Sequence, residues 1–169
     1  KMLAYNTSVI CDNNNYILTV DTNLSNMHDS VAFYSSFDKF INNYDISKTN
    51  YFVGDAAYLT NHICKTIIDL DMIPALPYSR LGYKKGYFKK YEYVYDEYFD
   101  CYICPNNQVL KYSTTTREGY REYKSDPEIC KNCPCREKCT KSKGCQKTVT
   151  RHVWESYLET VEDCRHTPW

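Results

Sequence analysis

The sequence has no long hydrophobic segment, no secretory signal and no excess charge of either sign. No stretch approaches the ~18 consecutive apolar residues that a membrane-spanning helix needs, so we expect no membrane contact. The N-terminal residues lack the pattern of a signal peptide, which predicts a reducing, cytoplasmic compartment. Internal repeats and low-complexity tracts are also missing, which excludes repeat architectures.

The zero net charge hides an uneven distribution along the chain. Residues 1–78 carry 4 basic and 8 acidic side chains, residues 79–151 carry 16 and 9, and residues 152–169 carry 1 and 4. A basic middle segment between acidic ends indicates contact with an anion such as nucleic acid. A solvated lysine-rich surface is the alternative interpretation.

The first 78 residues show the patterns of alternating strands and helices. Residues 3–22 predict an antiparallel hairpin, because two β-rich runs flank a turn of aspartate and asparagines. Apolar residues at three- and four-residue steps predict helices near 28–43 and 58–70. Short apolar runs at 51–54 and 72–78 complete the strands. We therefore expect one mixed sheet with helices packed on it.

Asp55 follows the apolar strand that begins at Tyr51. Open α/β sheets bind their ligands at the carboxyl ends of strands, so Asp55 is a candidate metal-binding carboxylate. The alternative is a loop aspartate that caps the next helix. Asp29 falls in the first turn of the preceding helix, where an acidic side chain interacts favourably with the helix dipole, and we assign it that structural role.

The pattern changes after residue 78. Residues 79–104 are crowded with lysine and tyrosine, and seven of the ten cysteines lie between Cys101 and Cys145. We interpret 79–150 as a basic, tyrosine- and cysteine-rich insertion and 151–169 as a helix that returns to the first segment. The tyrosines either form a small core in the insertion or stack on unpaired bases.

The cysteine spacing is typical of a metal site. Cys101 and Cys104 form one C-x2-C pair, Cys130 and Cys133 form another, and Cys139 follows. Two such pairs resemble a four-thiolate zinc site, which holds together a segment with little hydrophobic core. An iron–sulfur cluster and thiols without metal remain open alternatives. The additional cysteines that compete for the four positions are Cys135 and Cys145.

Several segments together resemble a known family. The segments that carry the resemblance are Leu3–Thr7, Asp12–Val20, Asn26–Ser30, Val53–Tyr58, Cys130–Thr140 and Glu162–Thr167. They resemble the DDE-type transposases of bacterial insertion sequences, in the group with a cysteine-rich insertion. Val53–Tyr58 is similar to the family's Asp-Ala-Gly-Tyr motif, with Ala57 where the family often has glycine.

The resemblance implies a fold and a chemistry. The family has a ribonuclease-H-like core in which two aspartates and a glutamate hold two divalent metal ions, Mg²⁺ or Mn²⁺. Asp55 matches the second aspartate. The first aspartate would precede Lys1 and the glutamate would follow Trp169, so we expect an excised fragment of the catalytic domain. We expect it to be inactive alone, whereas its parent would cut and join DNA phosphodiesters.

The resemblance and the cysteine spacing together predict the metal ligands and the partners. Structural zinc is expected at Cys104, Cys130, Cys133 and Cys139, with Cys101 as the main substitute. The partner is DNA, at transposon ends and target, on which the parent would form a homo-oligomer associated with the bacterial nucleoid. The expected DNA contacts are Arg80, Lys84, Lys85, Lys89, Lys90, Lys141, Lys143, Lys147 and Arg151.

Two other functions fit parts of the sequence. One is a non-catalytic, zinc-binding module that contacts DNA or protein. The other is a soluble α/β protein whose cysteines only stabilise a loop.

Overall fold

A computed structural model of the chain describes residues 4–78, 82, 84–164 and 166. They form a mixed α/β structure that divides into two compact units. Unit 1 comprises Lys1–Ser79 and Ser156–Trp169, and unit 2 comprises Arg80–Glu155. Among the described residues, no helix has both the length and the apolar character needed to cross a bilayer.

Unit 1 begins with the hairpin that the sequence predicts. Strands β1 (Tyr5–Cys11) and β2 (Ile17–Leu24) pair antiparallel. The Asp12 carboxylate accepts hydrogen bonds from the backbone amides of Asn14 and Tyr16, and Asn15 adopts a left-handed conformation with φ 65°. Asparagine and aspartate tolerate these turn conformations, which explains why the polar run reverses the chain.

The next part of unit 1 is a parallel strand pair joined by a helix. Strand β3 (Tyr51–Val53) pairs parallel with β4 (Ile73–Ala75), and helix α2 (Asn61–Ile68) connects them. The Thr60 hydroxyl caps α2 by accepting a hydrogen bond from the Ile63 amide at 3.3 Å. The segment that connects β3 to α2 therefore begins at the carboxyl end of β3, and Asp55 lies at its start.

The core of unit 1 lies on helix α1 (Asp29–Asn43). Phe33 and Phe37 of α1 are buried against Ile63 and Ile67 of α2. Helix α5 (Glu155–Cys164) also belongs mainly to this unit, because its Val161 is buried with Cys64 and Leu76. The helical periodicity that predicted α1 and α2 therefore marks the faces that pack.

The predicted single sheet is not present among the described residues. The hairpin and the β3–β4 pair are separate two-stranded sheets. Strands β3 and β4 have three residues each, and Pro74 of β4 has no amide proton to donate, so they offer few ladder hydrogen bonds to a further strand. Side chains connect the two sheets instead, since Leu18 and Phe52 both pack on the α1–α2 core. A ribonuclease-H-like sheet remains a prediction.

Unit 2 contains a five-stranded antiparallel sheet. Its strands follow one another in space as they do in the chain. They are β5 (Val94–Asp96), β6 (Cys101–Ile103), β7 (Val109–Thr115), β8 (Tyr120–Lys124) and β9 (Thr148–His152). Two short helices, α3 (Pro127–Lys131) and α4 (Arg136–Cys139), lie between β8 and β9.

Unit 2 also has a hydrophobic core of its own. Tyr93, Tyr102, Leu110, Tyr123 and Val149 are buried together. Three of the tyrosines therefore serve as core residues rather than as surface rings for bases. A metal is not needed to replace a missing core here, because the sheet already buries one.

The helix expected over 151–169 begins later, at Glu155. His152 is the last residue of β9, and α5 starts at Glu155. The Glu155 carboxylate accepts a long hydrogen bond of 3.4 Å from the His152 amide. Alternating residues at the end of β9 are followed almost at once by the helical pattern of α5, so periodicity alone did not show where the strand ends and the helix begins.

Candidate functional site

Asp55 lies at the carboxyl end of β3, as the sequence predicts. Its side chain is exposed, and the preceding residue, Gly54, still donates a backbone hydrogen bond to Ala75 of β4 at 3.5 Å. One carboxylate oxygen accepts a hydrogen bond from the Ala57 amide at 2.8 Å and caps a single 3-10 turn, Ala56–Tyr58. The capping role and an exposed strand-end position therefore occur in the same residue.

A second carboxylate and a tyrosine lie around this strand end. The pKa of Tyr58 is raised, first by burial and then by the negative charges of Asp29 and Asp55. Asp29 stands in the first turn of α1, as predicted, and also accepts a hydrogen bond from the Asn6 side chain at 2.8 Å. That bond ties α1 to strand β1, a contact that residue spacing did not reveal.

The chemistry available at this point is that of an exposed carboxylate. Carboxylate oxygens are the ligands that Mg²⁺ and Mn²⁺ prefer, and an exposed one needs no rearrangement to reach an ion. Asp55 is the described residue that fits a divalent metal by position and chemistry. A single carboxylate binds such an ion weakly, so further ligands have to come from elsewhere.

The four cysteines expected to bind zinc line one small cavity in unit 2. Cys104, Cys130, Cys133 and Cys139 surround a space of about 20 Å³. A space of at least ~10–15 Å³ holds one water-sized sphere, so the cavity has room for one small ion. Cys135 lines the same cavity. None of these cysteines is disulfide-bonded in the described structure.

Two of the sulfur atoms accept hydrogen bonds within this cavity. The Gln108 amide donates to Cys104 Sγ at 3.4 Å, and the Asn106 side chain donates to Cys133 Sγ at 3.6 Å. Cys104 directly follows β6 and begins a tight loop, in which the Asn107 amide donates a hydrogen bond to the Cys104 carbonyl. Donors of this kind stabilise a thiolate, and they come from residues that cysteine spacing alone cannot identify.

Burial keeps the Cys139 thiol from ionising easily. Its pKa is raised mainly by burial, and neighbouring Cys130 and Cys104 act in the same direction. The Tyr93 hydroxyl lies 3.2 Å from Cys139 Sγ and opposes the shift, as does the charge of Lys147. A bound cation would reverse this balance, because coordination to a metal deprotonates a thiol.

Cys101 lies apart from the cysteine cavity. It is buried at the start of β6 and lines a different cavity, together with Asp96 and Phe99. Side chains alternate across a strand, so residues three apart point to opposite faces. The C-x2-C spacing of Cys101 and Cys104 therefore does not produce a shared metal-facing turn, because the segment is a strand.

Across residues 4–78, 82, 84–164 and 166, no group of three or more histidine, cysteine, aspartate or glutamate side chains is arranged to hold a metal ion. The five cavity cysteines share one space without reaching coordination geometry. The zinc assignment stays a prediction.

The basic residues expected to contact DNA mostly lie against aromatic rings of unit 2. Arg151 lies 4.1 Å from the centre of the Tyr95 ring, and Lys147 lies 5.2 Å from that of Tyr93. Such contacts fix the stems of the side chains and leave the charge near the surface. Lys84 and Lys141 flank Tyr87, Lys89 lies over Tyr91, and Lys90 forms an ion pair with Glu155.

The remaining predicted contacts are less constrained. Lys85 and Lys143 are exposed. Arg80 falls outside the described residues. Two further basic residues, Arg136 and Lys138, lie on α4 and are not among the predicted DNA contacts, because the cysteines on either side of them indicate a metal site instead.

Comparison with known proteins adds one finding. Residues 103–169 match a family model described as the transposase DDE domain, a range that includes the cysteine cavity and α5. No curated protein and no solved structure matches the chain. The match confirms the resemblance to DDE-type transposases, and it does so through residues 103–169.

Proposed function

We propose that this chain is part of the catalytic domain of a DDE transposase and that Asp55 is one of its metal-binding carboxylates. The observation that carries the proposal is the exposed position of Asp55 at the carboxyl end of β3, directly before the connection to α2. The family match at residues 103–169 supports it from a separate part of the chain.

The chemistry requires more than one carboxylate. Two divalent ions ~3.5–4 Å apart activate the attacking oxygen and stabilise the leaving oxygen of a phosphodiester. Asp55 would contribute one ligand to that pair, and Mg²⁺ or Mn²⁺ would supply the charge that stabilises the displaced oxygen. By resemblance, a further aspartate and a glutamate would supply the remaining carboxylate ligands.

Zinc is the second proposed metal. Its proposed ligands are Cys104, Cys130, Cys133 and Cys139, and their position around one cavity supports the assignment. The amide donors at Cys104 and Cys133 support it too, because they are the outer contacts that orient thiolate ligands. With a hydrophobic core already present, zinc would fix the loop and α3–α4 rather than the whole unit.

DNA is the proposed partner, contacted through the basic residues of unit 2. Charge supports this, since residues 79–151 carry an excess of seven basic side chains. The proposed setting is the bacterial cytoplasm, with the parent assembled as a homo-oligomer on transposon ends and target. The proposed organisation is a partial catalytic core at 1–78, an insertion at 79–150 and a returning segment at 151–169.

The test is DNA cleavage and joining by the full-length protein that contains this chain. Asp55→Asn keeps the size and the capping oxygen of the side chain and removes its charge. We expect loss of cleavage and joining with DNA binding retained. Asp38→Asn, an equivalent change at an exposed position of α1, serves as the matched control and should remain active. Cleavage by the Asp55→Asn protein at the wild-type rate would refute the assignment.

A non-catalytic, zinc-binding interaction module is the second candidate. It is favoured by the separate sheet and core of unit 2, which do not depend on Asp55. Under this alternative, DNA or protein binding would account for the whole function, and no Asp55 variant would alter it.

A further inference from the structure

Unit 2 has an open cavity beside the proposed zinc site, with which it shares only Cys133 of the four proposed zinc ligands. It encloses about 910 Å³ and lies between the turn that contains Gly86 and Tyr87 and the segment from Cys133 to Lys141. A hydrogen bond from the Phe88 amide to the Lys138 carbonyl, 2.9 Å long, joins its two walls. Ligand clefts in proteins have volumes of about 300–1,000 Å³, so this cavity is large enough for a nucleotide unit.

The walls of the cavity carry more positive than negative charge. Arg136, Lys138 and Lys141 line it, with Glu137 as the opposing acidic side chain. Arginine binds phosphate oxygens through two parallel hydrogen bonds, and lysine adds a mobile positive charge. Such a lining favours an anionic ligand over a neutral or cationic one.

Two lysines converge on one ring at the cavity. Lys84 Nζ lies 5.1 Å and Lys141 Nζ 5.8 Å from the centre of the Tyr87 ring. The ring attracts both ammonium groups and so holds two positive charges beside Tyr87. An anion bound next to this ring would interact favourably with both charges.

The Tyr87 hydroxyl is a second, independent indication of a ligand. It is buried and has no hydrogen-bond partner among the described residues. A buried hydroxyl without a partner destabilises the folded state, so native structures keep few of them. The hydroxyl has almost no accessible surface, so a phosphate oxygen would accept its hydrogen bond once the Tyr87 side chain turns toward the cavity.

Gly86 leaves the mouth of the cavity unobstructed. Its φ of 85° is a conformation that residues with a side chain rarely adopt, and a Cβ atom built there would meet nothing within 4 Å. The Tyr87 amide donates to the Lys84 carbonyl and closes the turn. A phosphate can therefore approach this turn closely.

We propose that this cavity binds a phosphate group of the DNA backbone through Arg136 and Lys141, with the Tyr87 hydroxyl as a further donor and Lys84 adding positive charge beside the Tyr87 ring. The inference rests on the proposed DNA-binding function and adds a defined phosphate position to it. It places Arg136 among the DNA contacts and gives Tyr87 a role in binding as well as in packing.

The test measures binding of a fluorescent oligonucleotide of mixed sequence to the chain over a range of salt concentrations. The Arg136→Ala/Lys141→Ala variant should bind about tenfold more weakly, and its salt dependence should fall by about one to two counterions, since each lost phosphate contact removes about one. The control Arg117→Ala/Lys131→Ala removes the same charge from unit 2 outside the cavity lining and should bind nearly as the wild type does.

Tyr87→Phe gives a readout that a purely structural role would not give. Removing an unsatisfied hydroxyl should raise the unfolding midpoint of the free chain, whereas the stabilisation by oligonucleotide should decrease. Tyr91→Phe is the matched control, because Tyr91 is 74% exposed and its hydroxyl loses nothing in water. Equal stabilisation of the wild-type and Tyr87→Phe proteins by oligonucleotide would overturn the role of the hydroxyl.

Comparing inorganic phosphate with chloride at equal ionic strength distinguishes free phosphate from the DNA backbone as the source of the bound phosphate group. Equal weakening of DNA binding in both double variants would overturn the cavity and leave DNA as a partner. Protection by phosphate without binding of the oligonucleotide would overturn DNA as the source, and with it the proposed function. If neither phosphate nor the oligonucleotide binds, both the phosphate-binding cavity and the proposed DNA-binding function are overturned.

Discussion

Gly54 is the residue on which the position of Asp55 depends. A Cβ atom there would lie 3.0 Å from Tyr58 and 3.1 Å from both Leu76 and Phe52. These side chains pack in the core, so they cannot move aside freely. The strand can therefore deliver Asp55 to its exposed end only with glycine before it.

Gly54→Ala should accordingly destabilise the chain. Overpacking a core costs about 1–3 kcal/mol, and we expect a value in the lower half of that range because one methyl group is added. Unfolding in urea measures it. Gly144→Ala is the control, since its nearest neighbour would be the Ser142 hydroxyl at 3.8 Å. Equal stability of the two variants would mean that Gly54 is not sterically constrained.

Asp100 holds the polar network of unit 2 together. The hydroxyls of Tyr95 and Tyr123 donate to its Oδ1 atom at 2.8 and 2.7 Å, and Arg121 pairs with Oδ2 at 2.6 Å. Burial alone would raise the pKa of Asp100, but the bonds from Tyr123 and Tyr95 and the charge of Arg121 outweigh it, so the pKa is lowered. The φ of Asp100 is 47°, a conformation that asparagine also tolerates.

Asp100→Asn should therefore remove the charge with little backbone strain and destabilise the chain by about 1–3 kcal/mol at neutral pH. The folded pKa lies below the unfolded value of about 3.9. The stabilisation is thus complete above that value and is lost as the pH falls through the folded pKa. Urea unfolding from pH 7 to pH 3 should show the difference between variant and wild type shrinking. Glu118→Gln, in the exposed β7–β8 turn, should change little at any pH.

Among the secondary-structure elements, the loop after β6 and helices α3 and α4 supply the cysteine cavity. The Asp126 side chain caps α3 by accepting a hydrogen bond from the Glu128 amide at 2.9 Å, and the Cys133 amide bonds to the Cys130 carbonyl. These local contacts hold Cys130 and Cys133 on one turn. A metal would link that turn to Cys104 of the β6–β7 loop.

Zinc removal should therefore loosen these elements. We expect about one zinc ion per chain by elemental analysis. A chelator should lower the unfolding midpoint by several degrees, since 1 kcal/mol corresponds to about 2–4 °C in a chain of this size. Cys133→Ser should abolish the response, and Cys11→Ser, an exposed position of β1, should preserve it. A metal-free wild-type protein that is unaffected by the chelator would contradict the assignment.

The elements also show how far sequence patterns reach. The β3–Asp55 junction, α1 and α2 were predictable because short apolar runs and helical periodicity are local signals. Strands β7 and β8 were missed, since in β7 only Leu110 is buried and polar residues stand among the exposed positions without a regular apolar alternation. Strand β9 pairs with β8 across more than twenty residues of chain, a contact that no local pattern encodes. Cys101 was misleading because spacing cannot distinguish a strand from a turn.

At the scale of the whole molecule, the uneven charge distribution is the feature that concerns its partner. The basic excess lies in residues 79–151, and much of it is held against aromatic rings. Affinity that depends on phosphate contacts falls steeply as salt rises, whatever the base sequence.

Reversing four lysines of unit 2 tests this directly. Replacing Lys84, Lys85, Lys89 and Lys90 by glutamate should weaken binding of mixed-sequence DNA by at least about tenfold and reduce its salt dependence. Lys90 contributes least to this expectation, since it already pairs with Glu155. Circular dichroism has to show that the variant is folded. Unchanged affinity in a folded variant would move the DNA-binding surface elsewhere.

The central claim is that Asp55 binds a catalytic metal ion. Asp55→Cys in the full-length protein replaces a carboxylate by a thiolate, which binds Mg²⁺ poorly and accepts softer divalent ions such as Mn²⁺ more readily. DNA strand transfer measured with each metal tests the claim most directly. We predict that the variant is inactive with Mg²⁺ and regains activity with Mn²⁺, while the wild type is active with both. Wild-type activity of the variant with Mg²⁺, or the same loss with both metals, would contradict a role for Asp55 in metal binding.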